Sequence, residues 1–435
     1  MNEGELETGK QQKQSRIRFT VLGLLFINVV INYMDRSNIS IAGTAISDEL
    51  HLTTVQMGLI FSAFGWTYAA LQIPGGILAD RISPKILYAF SLVLWSVATV
   101  LQGLIKGFTA LFGLRLATGA FEAPAYPVNN RIVTGWFPIQ ERASAIAIYT
   151  SGQYIGLAFL TPALASLQYY TGWKGLFIVT GLIGIIWGIA WYFLYRDPFN
   201  HPRVNKAELD HIEKGGGFNK GRSKELAGKT KFKWIYLKQV LKQRKLWGIY
   251  IGQFAVTSTL WFFLTWFPTY LVKYRHLDFI KSGFLASIPF LAAFAGILLS
   301  GFVSDHLLKK GVSAGKARKI PVIIGLFLSI SVIGANYTND PAWVIFFMSL
   351  AFFGNGIASI TWVLVSSLAP SHLVGLTGGV FNFIGNLSSI VIPIVIGYLV
   401  SKDNFSPALL FIGALALMGA CSYIFLVGKI EQVKI

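Results

Sequence analysis

The chain has 435 residues, 54% of them hydrophobic and only 13% charged. A soluble domain carries roughly 25% charged residues, so this chain lacks the polar surface for water and reads as a membrane protein. Its net charge of +18 would suit a nucleic-acid binder until the charges are placed, and the lone Cys421 excludes an intramolecular disulfide or a thiolate metal site.

Residues 1–18 are polar, and the apolar run after them is too long for the core of a signal peptide, so it is read as a retained first span. Spans follow at 19–42, 55–79, 86–105, 108–136, 143–168 and 173–195. A polar stretch, 196–245, carries Gly215-Gly216-Gly217 and a dense Lys/Arg population. Within it Asn205-Lys206-Ala207-Glu208 has the form of a capping box opening a short helix that stops at Gly215. A second set of spans lies at 246–272, 280–304, 318–337, 341–369, 373–400 and 405–428. The expected fold is an all-α membrane protein of twelve transmembrane helices. Two six-helix bundles, 1–195 and 246–435, flank a central loop, 196–245. Prolines 74, 124, 127, 162, 268, 289 and 393 interrupt spans and are expected to kink them.

With the N-terminus inside, 28 of the 37 Lys and Arg fall in inner segments and six in outer loops; even without the central stretch the ratio is 14 to 6. The excess predicts cytoplasmic termini and explains the positive charge by topology, which leaves nucleic acid unnecessary as a partner. The remaining three basic residues, Arg36, Arg115 and Arg131, lie inside spans. The two halves also echo each other: Gly76-Ile-Leu-Ala-Asp80-Arg81 ends the second span and Gly301-Phe-Val-Ser-Asp305-His306 the eighth, 225 residues later. Paired bundles of this kind place a site near the midplane between them. There is no Walker A run, metal-spaced His/Cys cluster or nucleophile elbow, so neither an enzyme nor an ATP-driven pump is expected.

Gly76-Ile-Leu-Ala-Asp80-Arg81-Ile-Ser-Pro-Lys85 resembles the loop signature of the major facilitator superfamily. Tyr33-Met-Asp35-Arg36-Ser-Asn38 and Phe121-Glu122-Ala-Pro124-Ala-Tyr-Pro127-Val-Asn-Asn130-Arg131 resemble its anion:cation symporter branch. Tyr149-Thr-Ser-Gly-Gln153, Trp261-Phe-Phe-Leu-Thr-Trp266-Phe-Pro268 and Gly378-Gly-Val-Phe-Asn382-Phe are similar to bacterial sugar-acid transporters. The resemblance implies proton-coupled uptake of a sugar acid, D-galactonate foremost, by alternating access in the bacterial inner membrane. Glucarate, a hexuronate, or an organic-anion antiporter or exporter is the alternative. No cofactor is expected beyond protons as the coupling ion; the lipid bilayer is the surrounding partner and a monomer the expected state.

An ionisable group inside a span costs several kcal/mol. Asp35, Arg36, Arg115, Glu122 and Arg131 all fall in the first and fourth spans, which chance does not explain; ion pairs that merely hold the bundle together are the simpler alternative. At 1.5 Å per residue Asp35 and Arg115 reach similar depth, so an Asp35–Arg115 pair is expected, although Glu122, seven residues along the same face, is an equal partner for Arg115. A carboxylate balanced between burial and a nearby guanidinium can take up a proton in one state and release it in another. Asp35, Glu122 and Arg115 are therefore assigned to proton coupling. Arg36 points about 100° away from Asp35 on the helix. A guanidinium stays charged and grips a carboxylate in bidentate fashion, so Arg36 is the expected substrate clamp, a role the resemblance also implies. The resemblance adds Tyr33, Tyr68, Gln153, Gln253, Ser359, Thr361, Trp362 and Asn382 as cavity-lining positions; helix–helix hydrogen bonds and ordinary packing compete for each. Asp80, Arg81 and Asp305 are read as inter-helix latches and Arg131 as a gate contact.

Overall fold

The computed structural model describes residues 14–217, 234–370, 373–400 and 404–433. With no water in the bilayer core, each crossing must satisfy its own backbone, and the apolar runs accordingly form helices. The first group is α1 (Ile17–Glu49), α2 (Thr54–Ala70), α3 (Gln72–Arg81), α4 (Pro84–Gln102), α5 (Phe108–Glu122), α6 (Ala125–Trp136) and α7 (Ile139–Leu194). Two short helices follow, α8 (Lys206–Lys214) and α9 (Trp234–Leu241). The second group is α10 (Arg244–Thr265), α11 (Phe279–Lys309), α12 (Ala314–Ser329), α13 (Pro341–Ala358), α14 (Thr361–Leu368), α15 (Val374–Leu399) and α16 (Ser406–Cys421).

Nine of the described helices are long and apolar enough to cross a membrane. One of them, α7, is two crossings: Gly172, at φ 71°, sits in the left-handed region that glycine enters without a Cβ penalty, and the chain reverses there. Two further crossings are each broken in two at prolines. Pro74 cannot donate to the carbonyl of Ala70, and the second span divides at Leu71 into α2 and α3. Pro124 and Pro127 divide the fourth into α5 and α6 directly after Glu122. Among the described residues twelve crossings result, as the sequence predicts, but the expected single spans at 55–79, 108–136 and 341–369 are segmented, the last at Ser359–Ile360 with no proline at the break. Pro162, Pro289 and Pro393 stay inside continuous helices.

Within the first group α1 and α4 pack on α7, and α2 on α5; within the second, α11 and α12 pack on α13, and α10 on α15 and α16. The groups meet along α2–α15 and α7–α11. Among the described residues, the hydrogen bonds joining them lie toward the end of the molecule remote from Ile17. Ser40 Oγ donates to the Thr265 carbonyl at 2.9 Å, and Lys273 Nζ reaches Asp48 at 2.6 Å and Ser47 at 3.3 Å. Here Gly58 of α2 lies so close to α15 that an added Cβ would stand 2.6 Å from the Pro393 carbonyl oxygen. At the opposite end Asp80 and Arg81 are both exposed. The side chain of Asp305 lies outside the described residues.

The central segment is anchored to the first group. Asn205 caps α8 by accepting from the Glu208 N–H at 3.0 Å, as the capping-box pattern predicts, but the Glu208 carboxylate goes elsewhere. It accepts from Ser15 Oγ at 2.5 Å and from the N–H groups of Ile17 (2.9 Å) and Arg18 (3.1 Å), which begin α1. Arg18 also binds Glu141 at 2.9 Å, and His211 approaches Glu141 at the same distance. Burial acts to raise the Glu208 pKa, but the bonds from Ser15, Arg18 and Ile17 outweigh it and hold the carboxyl below its usual range.

Candidate functional site

Four charged side chains are buried at the heart of the first group: Asp35 and Arg36 on α1, Arg115 and Glu122 on α5. None is more than 7% exposed. The four are two cationic and two acidic groups, so opposite formal charges face each other in the low-dielectric interior.

Arg36 pairs with Glu122. Its Nε and Nη2 donate to the same oxygen, Glu122 Oε1, at 2.8 and 2.5 Å, while Glu122 Oε2 is buried without a hydrogen bond. The guanidinium is caged by three rings, its carbon lying 4.9 Å from the centroids of Tyr33, Phe64 and Tyr68. Aromatic faces attract a cation, more strongly where water is excluded. The Tyr126 hydroxyl lies beside that of Tyr33 and within electrostatic reach of Arg36. Tyr126 was present in the Phe121–Arg131 motif, but nothing in its spacing marked it out.

The expected pairing of Asp35 with Arg115 is not made. Asp35 turns into the bundle, where its Oδ2 accepts from Trp95 Nε1 of α4 at 2.9 Å and its Oδ1 from Asn38 Nδ2 at 3.4 Å. Asn38 in turn bonds Thr180 on the second arm of α7 at 2.8 Å. Arg115 forms no ion pair with Glu122 either; it lies 5.4 Å from the Phe64 ring, and its Nε is unpaired. Depth along a helix was readable from residue counting, but azimuth was not, and azimuth assigned the partners. Trp95, one of three aromatics in its apolar run with Tyr88 and Phe90, carried no signal of this role.

The remaining candidates divide between the groups. Tyr33 donates from its hydroxyl to Gln153 Oε1 of α7 at 2.9 Å. Tyr68 is buried against Phe64, their rings stacked at 5.1 Å. In the second group Thr361 donates to Gln253 Oε1 at 2.7 Å, linking α14 to α10 across the break after α13. Ser359 Oγ, at that break, donates to the Gly356 carbonyl, and the Asn382 amide oxygen accepts from Asn386 at 3.3 Å. Trp362 is 49% exposed, with one edge against Phe381 at 4.9 Å. Among the described residues no charged side chain is buried in α10–α16. Arg131 is not in the cluster. Its Nη1 donates to the Ala79 carbonyl and to that of Ile82 at 2.7 Å, tying α6 to the end of α3 next to Asp80 and Arg81.

The chain matches the model of the Major Facilitator Superfamily over residues 25–393. It is 52% identical over 425 residues to a D-galactonate transporter of Escherichia coli O6:H1, covering 97% of this chain and 98% of that protein. It is 45% identical to a probable galactarate/D-glucarate transporter, GudP, of Bacillus subtilis, covering 97% and 94%. Among solved structures, a D-xylose-proton symporter superimposes with a TM-score of 0.73 at 12% identity, over 95% of this chain and 98% of that one. A bacterial homolog of the human lysosomal transporter Spinster does so at 0.69 and 19% identity, over 94% of each. Those two likenesses bear on the fold alone.

Proposed function

The chain belongs to the Major Facilitator Superfamily and is a membrane transporter rather than an enzyme, and from that premise we propose that it takes up a sugar acid, D-galactonate foremost, together with protons. The identity to a D-galactonate transporter supports the substrate class. The observation that carries the coupling is the Arg36–Glu122 pair. A buried guanidinium is stabilised by an anion beside it, and in the empty protein Glu122 is that anion for Arg36. A proton on Glu122 cancels its hold on Arg36, and the carboxylate of the substrate takes its place. The unpaired Oε2 is the oxygen open to that proton. Proton and anion then bind together, with no change in the charge of the cluster.

Arg36 grips the carboxylate, Tyr33, Tyr68 and Gln153 line the site from one group, and Gln253, Ser359, Thr361, Trp362 and Asn382 offer hydroxyl-binding groups from the other. Asp35, held by Trp95 and Asn38, is a second proton carrier, with Arg115 between the two carboxylates. If both carry protons, each monovalent anion enters with net charge +1, and every 100 mV of membrane potential adds about 2.3 kcal/mol to uptake.

The basic excess in the inner segments favours termini on the cytoplasmic side of a bacterial inner membrane. The joined end then faces outward, and the structure is the inward-open state of a cycle in which 1–195 and 246–435 rock about the site. Asp80, Arg81 and Asp305 are latches for the opposite state, with Arg131 bracing the first. The unit of function is the single chain.

The test is uptake into proteoliposomes. Wild-type protein accumulates galactonate under an inward proton gradient and exchanges it without one, whereas an antiporter is inhibited by that gradient. Glu122→Gln keeps Arg36 free at every pH, so exchange persists while gradient-driven accumulation is lost. Unimpaired accumulation by that variant removes Glu122 from the coupling step.

A further inference from the structure

The corner where α9 turns into α10, at the Ile17 end of the molecule, is exposed and both basic and apolar. On α9 the Val240 side chain is fully buried among Leu246, Tyr250 and Val427, and Tyr236 packs against the same cluster. The other face carries Ile235 and Lys238, three residues apart, and Lys242 follows four residues later; all three are exposed. Only Lys242 and Gln243 separate the two helices, and the corner is fastened on both sides. Trp247 Nε1 donates to the Leu241 carbonyl at 2.7 Å, and Arg244 Nη2 donates to the Phe425 carbonyl at 3.1 Å.

These bonds hold cations at the lipid boundary. Arg244 opens one apolar span, Arg244–Thr265, and Phe425 lies near the end of another, Ser406–Val427. The side chains of Trp247 and Phe425 are exposed there, and aromatic rings at the ends of spans sit at the level of lipid headgroups. Neighbouring Lys245 pairs with Glu431 at 4.0 Å, whereas Lys238, Lys242 and Arg244 have no ion pair among the described residues. Topology alone calls for cations at this end. It does not call for three uncompensated ones fastened beside exposed rings.

We propose that this corner binds a phospholipid of net negative charge in the leaflet at the Ile17 end. Lys238, Lys242 and Arg244 hold its phosphate, and its acyl chains lie along Trp247 and Phe425. A free phosphate would leave Ile235 and both rings in contact with water, and a zwitterionic lipid would cover them but leave the cations uncompensated. An anionic lipid satisfies both halves of the surface, as basic clusters at the end of a span or on an amphipathic helix do elsewhere.

The test is lipid retention by the purified full-length chain in detergent, read by native mass spectrometry. The probe is an equimolar mixture of phosphatidylglycerol and phosphatidylcholine with the same acyl chains. Wild-type protein is expected to retain phosphatidylglycerol in preference, and the preference to fall as salt rises. A cation beside an anionic leaflet strengthens binding about fivefold, so Lys238→Gln/Lys242→Gln should weaken the preference about 25-fold. Both residues are exposed, so its melting temperature in detergent should match that of wild type. Lys106→Gln/Lys281→Gln removes two exposed cations from the opposite end and should leave the preference intact. Equal retention of the two lipids by wild type, a preference that survives Lys238→Gln/Lys242→Gln, or an equal loss in both double variants overturns the proposal. Displacement of phosphatidylglycerol by millimolar inorganic phosphate overturns it too, since the corner would then be a simple anion site.

Discussion

Gly58 offers a perturbation whose cost falls on one conformation only. In the state described here a methyl at this position would stand 2.6 Å from the Pro393 carbonyl oxygen, 3.3 Å from its carbon and 3.4 Å from the Gly397 Cα. All three are backbone atoms of α15, so no side chain can swing aside; α2 and α15 must separate. Overpacking of this kind costs typically 1–3 kcal/mol. In an ordinary core that cost would lower stability. On the alternating-access reading the groups part at this seam in the outward-open state, so Gly58→Ala should move the balance of the two states by about fivefold to 150-fold toward outward-open. The assay is alkylation of a single cysteine at Ser40, in a Cys421→Ser background, since Ser40 bonds across the same seam. Gly23→Ala is the control, because nothing lies within 4 Å of a Cβ there. Faster labelling in Gly58→Ala with an unchanged melting temperature is expected. Unchanged labelling, or equal effects of both substitutions, refutes the seam as a conformational contact.

Arg36→Ala strands the Glu122 carboxylate in the interior and should destabilise the protein by about 3–5 kcal/mol; Glu122→Gln added to it should restore most of the loss in a thermal melt, while galactonate binding stays absent. Glu208→Gln keeps the shape of the α8 anchor but weakens charge-assisted bonds to Ser15, Ile17 and Arg18, worth about 1.5–3 kcal/mol each when fully shielded, and should hasten proteolysis at the N-terminal segment. Because the folded carboxyl titrates below its ordinary range, the wild-type anchor is at full strength above about pH 4.3 and fades as pH falls through the lowered value. Protease resistance that holds unchanged at acid pH would count against Glu208 as the anchor.

The crossings were legible because lipid demands long apolar runs, and two of the three broken ones sit where prolines remove backbone donors, while the break at Ser359–Ile360 had no such signal. The buried charges were legible for the same reason: Asp35, Arg36, Arg115 and Glu122 stand out in segments that otherwise avoid charge. Their pairing was not legible. Adjacent residues on a helix diverge by about 100°, so Asp35 and Arg36 face different neighbours, and which neighbours depends on how α4, α5 and α7 rotate against α1. Packing sets that rotation, and Trp95 and Thr180 enter only through it. The anchor at Glu208 was half visible: the cap at Asn205 could be read locally, whereas a contact with Ser15 some 190 positions earlier had no local trace.

The asymmetry of charge has a consequence for how such a molecule changes over time. Among the described residues the buried charges within the spans all belong to the first group, and on the proposed reading the second group meets the solute with neutral amides, hydroxyls and an indole. On that reading the first group carries all of the energy conversion and shares the recognition of hydroxyls with the second. If the proposed site is right, substitutions at Gln253, Thr361 or Asn382 retune which epimer fits while the charges that drive accumulation stay in place.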